Sequence, residues 1–342
     1  MDMQIALLLG QDGVVNGAIY GLMALALVLV FSVTRVIFIP QGELLSFGAL
    51  TMASINVGHT PATLWMLWVL AALTLAVEGI RSWRGQDVEW RLTLLWTVLL
   101  PVIATVVWFS GAAKMLGVQA VLSVLIVTPL APLLYRLVYR PVAGATVLVL
   151  LILSVALHGV LVGLGLYFFG AEGSRTPPLL DAQVAAGPLQ ISGQSIVVTA
   201  TACALVGALF AFFQRSLVGK ALRATAINRK GARLMGIPTE LAGDISFALA
   251  GLTGAVAGVL VSPLATVYYD SGFLIGLKGF VAAIIGGLAS YPLAFAGALL
   301  VGLLEAFSSF WASPFKEVIV FTLIIPVLIV RSLRSHHVEE GE

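Results

Sequence analysis

The residue types that usually carry metal or nucleophile chemistry are few in this sequence and lie far apart. It holds four histidines and one cysteine, Cys203, and no His-Glu-x-x-His or Cys-x-x-Cys spacing places two metal ligands on one helical face. His158 differs from the others because it lies within an apolar run, where an ionisable side chain is a functional candidate. The alternative is a neutral imidazole that hydrogen-bonds to a neighbouring helix. The pattern predicts no metal site, no cofactor and no catalytic constellation.

A nucleotide-binding phosphate loop is not predicted either. Such a loop needs Gly, four further residues and then Gly-Lys-Ser or Gly-Lys-Thr, so that backbone donors surround the phosphates. The pair Gly219-Lys220 has Gln214 at the position of the first glycine and Ala221 in place of the hydroxyl residue. The net charge of +2 is too small to indicate a nucleic-acid partner. We therefore expect neither an enzyme nor a nucleic-acid-binding protein.

Composition determines which elements position these residues. Of the 342 residues, 60% are hydrophobic and 10% are charged, whereas a soluble domain carries roughly 25% charged residues. The alternation typical of membrane β-strands does not recur. The sequence predicts an all-α polytopic membrane protein, a single transmembrane domain over residues 1–342 with about 9–11 spans. The apolar runs lie at 12–33, 42–58, 62–80, 91–111, 115–135, 146–169, 196–214, 241–262, 275–289, 291–310 and 317–331.

Basic residues indicate which ends of the spans face the cytoplasm, because short cytoplasmic loops are rich in Lys and Arg. The decisive segment is 215–240, in which Glu240 is the first acid. Counting the spans outward from this segment places Glu172 on the opposite, outer side. Lys278 does not fit the distribution of basic residues, because the same count places it near the outer side. The count places the N-terminus outside and the C-terminus inside.

The order of apolar, basic and capping residues in the segment 215–240 indicates a structured segment rather than a plain connecting loop. Residues 221–227 can form one short helix, Asn228 can cap a second helix, and Gly236 followed by Pro238 can end it. Apolar and basic residues alternate, so these helices would be amphipathic and lie along the membrane. Two interpretations stay open, namely sorting of positive charge with anionic-lipid binding, or docking of a cytoplasmic partner. The basic residues are Arg215, Lys220, Arg223, Arg229, Lys230 and Arg233.

Glycines mark a break and several close contacts. The stretch 279–289 is about 16 Å long as a helix, so it cannot cross roughly 30 Å of hydrocarbon alone. Either the helix continues from Leu274, or it is broken or re-entrant at Gly286-Gly287, as transporter helices at solute sites often are. A glycine hinge for packing is an equal alternative. Three pairs have the spacing for close helix contact: Gly17 and Gly21, Gly159 and Gly163, and Gly254 and Gly258.

Five further segments carry recognisable motifs. They are Asn16-Gly17, Pro40-Gln41-Gly42-Glu43, Tyr139-Arg140-Pro141-Val142, GLKGFVAAIIGGLASYP at 276–292 and LLEAFSSF at 303–310. Together with the basic segment they resemble the permease subunits of branched-chain amino acid ABC importers, the LivH and LivM type. The resemblance covers most of the chain except about 78–110, which looks like an added helical hairpin of two spans.

The resemblance implies a non-enzymatic permease subunit in the bacterial inner membrane. It would work with a second, similar or identical permease, two ABC ATPase subunits and an extracytoplasmic solute-binding protein to import branched-chain amino acids or related small polar solutes. A self-sufficient secondary transporter is the alternative, but it would need inverted halves and paired intramembrane ionisable residues, and we find no convincing repeat. Leucine, a small amide and urea all stay open as cargo.

The resemblance also suggests roles for individual residues. The segment 215–240 would be a cytoplasmic coupling loop that fits a groove on each ATPase, through Gly219, Arg223, Arg229, Lys230, Gly231, Arg233, Gly236 and Pro238. Polar, ionisable and glycine positions within the spans are candidates for the translocation path. They are Asn16, Gly42, Glu43, His158, Gly286, Gly287, Ser290 and Glu305.

Overall fold

The computed structural model describes residues 3–86, 88–186 and 189–334. Within these ranges, nine helices are long and apolar enough to cross a membrane. A helix satisfies its backbone hydrogen bonds within its own segment, as lipid requires. The prediction of an all-α polytopic membrane protein is therefore confirmed. The nine candidate spans are Met3–Thr34, Ala62–Trp83, Trp90–Phe109, Leu116–Val142, Val147–Phe169, Gly193–Arg215, Thr239–Val261, Tyr291–Trp311 and Ser313–Val330.

Each predicted apolar run is mainly helical, and several spans are built from more than one helical segment. A π-helical turn, Leu95–Leu99, joins α4 to α5, and another, Tyr135–Tyr139, continues α7. The helices are α1 Met3–Thr34, α2 Gln41–Asn56, α3 Ala62–Trp83, α4 Trp90–Leu94, α5 Leu100–Phe109, α6 Leu116–Val127, α7 Leu130–Leu134, α8 Val147–Phe169, α9 Gly193–Arg215, α10 Leu217–Ile227, α11 Arg229–Leu234, α12 Thr239–Val261, α13 Ser271–Ile285, α14 Tyr291–Trp311, α15 Lys316–Thr322 and α16 Ile324–Arg334. Between α8 and α9, strands β1 Gln183–Ala186 and β2 Leu189–Ser192 pair antiparallel, with Gln183 opposite Ser192.

Helices α2 and α13 are shorter than a bilayer is thick. They contain 16 and 15 residues, which correspond to about 24 and 23 Å of helix. Helix α13 extends back to Ser271 and ends before Gly286, where the chain turns through positive φ angles at Gly287 (68°) and Leu288 (55°). Both sequence alternatives therefore hold, because the helix starts earlier than the apolar run and also breaks at the glycine pair.

Glycines let the central helices approach closely. An added Cβ on Gly17 would lie 2.8 Å from the Cα of Leu299 in α14, and Gly258 of α12 faces the Leu45 carbonyl of α2. The contacts predicted at two of the three glycine pairs are thus confirmed. The third prediction is wrong within the described chain, because no atom lies within 4 Å of a Cβ built on Gly159 or Gly163. Their helix, α8, turns this face away from the bundle.

Two pairs of helices, α1 with α2 and α12 with α13, share one design. In each pair a long helix is followed by a short connector and then by a short helix. Helix α2 runs along the second half of α12, since the Gln41 side chain donates to the Ala250 carbonyl (2.9 Å) and Ser262 Oγ donates to that of Ala49 (3.5 Å). Helix α13 packs on α1 through Gly279 and runs antiparallel to α14. The short helices therefore run in opposite directions from neighbouring starting points.

The segment 78–110 differs from the expected two-span hairpin. It holds the last turn of α3, a connector and the single span made by α4 and α5. A helical hairpin of two spans in this region is formed by residues 62–109 instead. The predicted start of the hairpin at about residue 78 differs from the structure because Glu78 and Arg81 interrupt the apolar run, whereas helix α3 itself ends at Trp83.

Candidate functional site

The starts of α2 and α13 meet inside the bundle. The Gly42 backbone contacts that of Gly272, and neither site has room for a Cβ. Ser46 Oγ accepts a hydrogen bond from the Gly272 N–H (2.7 Å). Ala250, which bonds Gln41, is the middle residue of α12. The junction therefore lies about halfway along a spanning helix, as broken helices do in transporters that hold solute near the bilayer midplane.

Glu43 and His158, both predicted from the sequence, come together at this junction. His158 Nδ1 and Glu43 Oε1 are 2.8 Å apart, and the Glu43 side chain is fully buried. The His158 ring stacks on Phe273 of α13, with 4.4 Å between ring centroids. His158 is also the middle residue of α8. Gly42 and Glu43 of α2, His158 of α8 and Phe273 of α13 thus form one mid-span cluster, which we call the junction site.

An apolar cavity of about 180 Å³ adjoins the junction site. Gln41 is the polar residue in its lining, and α1, α8, α13 and the connector before α2 supply the apolar walls. The lining residues are Leu27, Ile37, Ile39, Gln41, Leu151, Phe273, Gly276, Leu277 and Phe280. Gln41 belongs to the motif Pro40-Gln41-Gly42-Glu43 but is not among the path candidates predicted from the sequence. The residue type could have identified Gln41 as a candidate, since a buried amide inside a span needs hydrogen-bond partners.

Glu305 belongs to a separate buried cluster. Lys278 Nζ donates to Glu305 Oε1 (2.5 Å) and to Glu317 Oε1 (3.1 Å), and the Tyr20 hydroxyl also bonds Glu305. Lys278 is buried within α13, so its mismatch with the loop-charge pattern is explained by ion pairing inside the bundle rather than by a loop position. Glu305 is likewise buried, and its carboxylate bonds Lys278 of α13 and Tyr20 of α1.

The remaining path candidates lie apart from the junction site. Gly286 and Ser290 line a cavity of about 560 Å³ between α13, α14 and α16, and Gly287 forms the adjoining turn. Asn16 is half-buried on α1 and forms no side-chain hydrogen bond with the described residues. The structure therefore does not bring these four residues together with Glu43 and His158.

The basic segment forms two capped helices, as the sequence predicts. The Ser216 side chain accepts from the Gly219 N–H (2.9 Å) at the start of α10, and Asn228 Oδ1 accepts from the Gly231 N–H (2.8 Å) at the start of α11. Helix α10 begins at Leu217, earlier than predicted, because the Ser216 side chain caps its start. Gly236 ends α11 with a φ of 79°, a conformation that favours glycine.

The basic residues of this segment face two different cavities. Arg223 borders an apolar cavity of about 580 Å³ between α1, α9 and α14. Arg229, Lys230 and Arg233 adjoin an open cavity of about 1100 Å³ with mixed charges, whereas Arg215 and Lys220 line neither of these two cavities. Gly219 packs so closely that an added Cβ would lie 2.7 Å from the Phe213 Cα. The predicted residues that line the larger cavity are Arg229, Lys230, Arg233 and Pro238.

Ion pairs behind α10 and α11, of which the Arg136–Asp244 pair is buried, were missed by sequence reasoning. Arg136 bonds Asp244 on α12 through two nitrogens, with a shortest distance of 2.6 Å, and also bonds Thr93 (2.5 Å). Neighbouring charges close a ring in which each acid meets both bases. Its members are Glu78, Arg81, Arg140 and Glu240. The partners are more than sixty residues apart in most of these pairs, so no local spacing could have shown them.

These features define a class of protein. Apolar spanning helices, two short helices that meet midway through them, and capped basic helices beside α12 are the architecture of a membrane transporter subunit. Residues 11–328 match the family described as the permease component of branched-chain amino acid transport systems. This match covers most of the chain, and the chain belongs to that family. It is a multi-pass membrane protein of a family of transporter permeases.

Relatives support the assignment along most of the sequence. The chain is 29% identical over 330 residues to the high-affinity branched-chain amino acid transport system permease protein LivH of Escherichia coli (strain K12), with 93% of this chain and 91% of the relative covered. It is 31% identical over 204 residues to the permease protein BraD of Pseudomonas aeruginosa, covering 57% of this chain and 66% of that one. A probable LivH of Methanocaldococcus jannaschii is 27% identical over 219 residues, covering 62% and 67%. No solved structure matches the chain.

Proposed function

We propose that this chain forms the translocation path of an ATP-driven importer for branched-chain amino acids or related small polar solutes. The observation that carries the proposal is the likeness to LivH, which extends over 93% of the chain. LivH is named for a branched-chain amino acid system. Family membership favours an importer subunit over a self-sufficient secondary transporter. The Gly219-Lys220 sequence lacks the rest of a phosphate loop, which agrees with ATP hydrolysis on separate subunits.

The proposed assembly contains two ABC ATPases, a second permease and an extracytoplasmic solute-binding protein, in a bacterial inner membrane. Helices α10 and α11 are the proposed coupling element toward the ATPases. Rigid capping by Ser216 and Asn228 supports this role, since a helix that transmits movement has to keep its shape. Anionic lipid is a further proposed contact of the same basic residues.

The proposed solute path includes the junction site. Glu43 and His158 support this most directly, because ionisable groups inside a membrane are costly and tend to mark solute pathways. Gly42 permits the close approach of the two helix starts. Asn16, Gly286, Gly287, Ser290 and Glu305 stay proposals for the path without a contact to this site.

Reconstitution tests the proposed function. The permease, its partner permease and two ATPases are placed in proteoliposomes, with the binding protein outside and ATP inside. We expect uptake of leucine, isoleucine or valine that depends on both ATP and the binding protein. The chain purified alone should hydrolyse no ATP. Accumulation of cargo by vesicles that contain only this chain would contradict the proposal, as would a complete importer that moves none of these solutes, small amides or urea.

A further inference from the structure

The apolar cavity of about 580 Å³ between α1, α9 and α14 lies at the outside of the bundle. On α9 it is lined by Cys203, Phe210 and Gln214, whose spacing of seven and four positions places them on one face of the helix. All three side chains are exposed. Leu25 and Leu29 of α1, which line the facing wall, are buried. Since little of α9 is buried among the described helices, this cavity is open to the hydrocarbon of a membrane.

The cavity extends from the middle of α9 to the end of that helix. Cys203 lies about halfway along α9 and Gln214 lies in its last turn, so eleven positions separate them, or about 16 Å. One leaflet contributes half of the roughly 30 Å of hydrocarbon in a bilayer. The depth of the cavity therefore matches the acyl region of a single leaflet, the one beside α10.

Arg223 of α10 is the charged residue in the described lining of this cavity. It lies at the Gln214 end, where Tyr291 at the start of α14 stacks on Phe213 with 5.4 Å between ring centroids. Within the described chain, the Arg223 guanidinium belongs to no ion pair. An unpaired cation beside a membrane attracts acidic lipid headgroups. The open end of the cavity is thus suited to an anionic group.

The lining decides between possible occupants. An amino acid carries an ammonium and a carboxylate, whereas the described lining holds one base and no acid, so the solute of the proposed function does not fit here. Water does not fill the cavity well either, because apolar walls offer it few hydrogen-bond partners. A phospholipid meets both requirements in one molecule, since it has an apolar chain as long as a leaflet is deep and an acidic group at the end of that chain.

We propose that the cavity binds one anionic phospholipid of the leaflet beside α10, with an acyl chain along α9 toward Cys203 and Phe295 and the headgroup phosphate at Arg223. The bound lipid contacts α9, α10 and α14 at once and fills the space that these helices leave open. This site goes beyond the translocation role. It also differs from a general attraction between the basic segment and an acidic membrane, because it uses one cation and one cavity.

Photo-crosslinking tests where the acyl chain lies. The full-length chain, alone and in the assembled importer, is placed in phosphatidylcholine nanodiscs with a trace of phosphatidylglycerol that carries a diazirine midway along one acyl chain. Labelled peptides are mapped after irradiation, and we expect label on Phe210 and Phe295. Cys203→Trp fills the deep end of the cavity and should reduce this label at least fivefold. Ala204→Trp is the matched control and should retain the label, because the neighbouring side chain is exposed and does not line the cavity.

A second comparison tests the headgroup. Arg223→Gln removes the cation and should reduce the phosphatidylglycerol label about fivefold, the effect expected of one basic residue beside an anionic headgroup. Lys220→Gln removes the same charge from an exposed position three residues earlier on α10 that does not line the cavity, and should change the label less than twofold. A phosphatidylcholine probe with the same acyl chain has no net charge, so it should label the parent protein about fivefold less than the anionic probe does.

Three results would overturn the proposal. Equal losses in Arg223→Gln and Lys220→Gln would assign the effect to surface attraction by the whole basic segment. Equal labelling by the two probes, or label confined to other helices, would remove the headgroup or the cavity from the site. Label on the chain alone but not in the assembled importer would show that a partner subunit covers the cavity instead of lipid. These measurements report lipid contact rather than uptake, so they hold whichever solute is carried.

Discussion

Arg136 and Asp244 illustrate how a charged pair is kept inside this protein. Both side chains are buried, and the guanidinium meets the carboxylate through two nitrogens while a third bonds Thr93. The low polarity around them strengthens the attraction, but the same environment makes either charge costly on its own. Removing one member of the pair should therefore cost more stability than the intact pair contributes.

The first prediction concerns Asp244. Asp244→Ala leaves the Arg136 charge buried without its acid, so we expect a loss of about 3–5 kcal/mol in the free energy of unfolding. Denaturant unfolding of the purified protein in detergent measures this value. Glu240→Ala is the matched control, because Glu240 lies one turn earlier on α12, and also pairs with an arginine, but has a side chain that is 57% exposed. It should cost no more than about 1 kcal/mol. Equal losses would contradict the role assigned to burial.

The second prediction concerns a helix contact. Gly258→Ala places a methyl group within contact distance of the Leu45 carbonyl, so α12 and α2 would have to separate. We expect a destabilisation of about 1–3 kcal/mol from overpacking. Gly159→Ala has open space around its Cβ and should be neutral or stabilise, because alanine favours helix over glycine by about 1 kcal/mol. Thermal unfolding of the two variants side by side gives the comparison. A Gly258→Ala protein as stable as the parent would show that the helices do not pack this closely.

At the scale of elements, α10 and α11 carry the proposed coupling, and this gives the third prediction. In α11 an added Cβ at Gly231 would lie 3.2 Å from the Asn228 side chain that caps the helix. Gly231→Val should therefore disturb the cap, and Arg223→Ala removes a cation from α10. We expect both variants to insert normally but to lose uptake at least tenfold while ATP hydrolysis continues.

The measurements are uptake and ATP turnover of the reconstituted importer, made on the same vesicles. Gly207→Ala is a suitable control, since it lies in the membrane on α9 with no atom within 4 Å of its Cβ. Normal coupled uptake in both Gly231→Val and Arg223→Ala would remove the coupling role from this segment.

The positions of the helices were largely predictable from the sequence, whereas the contacts between helices were not. Hydropathy is a local property, so apolar runs gave helices at every expected place, and Asn228 revealed a cap by its position. The junction of Gly42 with Gly272 depends on backbones that are more than two hundred residues apart. No local pattern marks such a contact, and the similar design of the two helix pairs was also invisible as a sequence repeat.

In the candidate site, too, residue types were predictable from the sequence, whereas the contacts between them were not. His158 stood out because an ionisable residue is unusual within an apolar run. Its partner Glu43 was named separately, but the 2.8 Å contact between them joins residues 115 positions apart. The cavity beside them is formed by four separate parts of the chain. Residue types could therefore be predicted, while their grouping and the cavity volume required the packed structure.

At the scale of the whole molecule, orientation in the membrane gives the fourth prediction. Glu172 precedes β1 and Lys220 lies on α10, and the basic-loop pattern places them on opposite sides, with Lys220 in the cytoplasm. After Cys203→Ala removes the single native thiol, a membrane-impermeant maleimide should label Glu172→Cys on intact cells. Lys220→Cys should react only after the cells are permeabilised. Labelling of Lys220→Cys on intact cells would invert the orientation and separate this segment from any cytoplasmic ATPase.

The ring formed by Glu78, Arg81, Arg140 and Glu240 cancels its own charge. Two cations and two anions held together have little long-range field, and salt weakens what is left at their exposed edge. The neighbouring bases of α10 and α11, by contrast, form no ion pair within the described chain, so their field is not neutralised from inside. The cations at this end of the protein therefore have two roles. Arg81 and Arg140 pair with acids and hold helices together, whereas the bases of α10 and α11 are available to attract an acidic surface, whether lipid headgroups or another subunit.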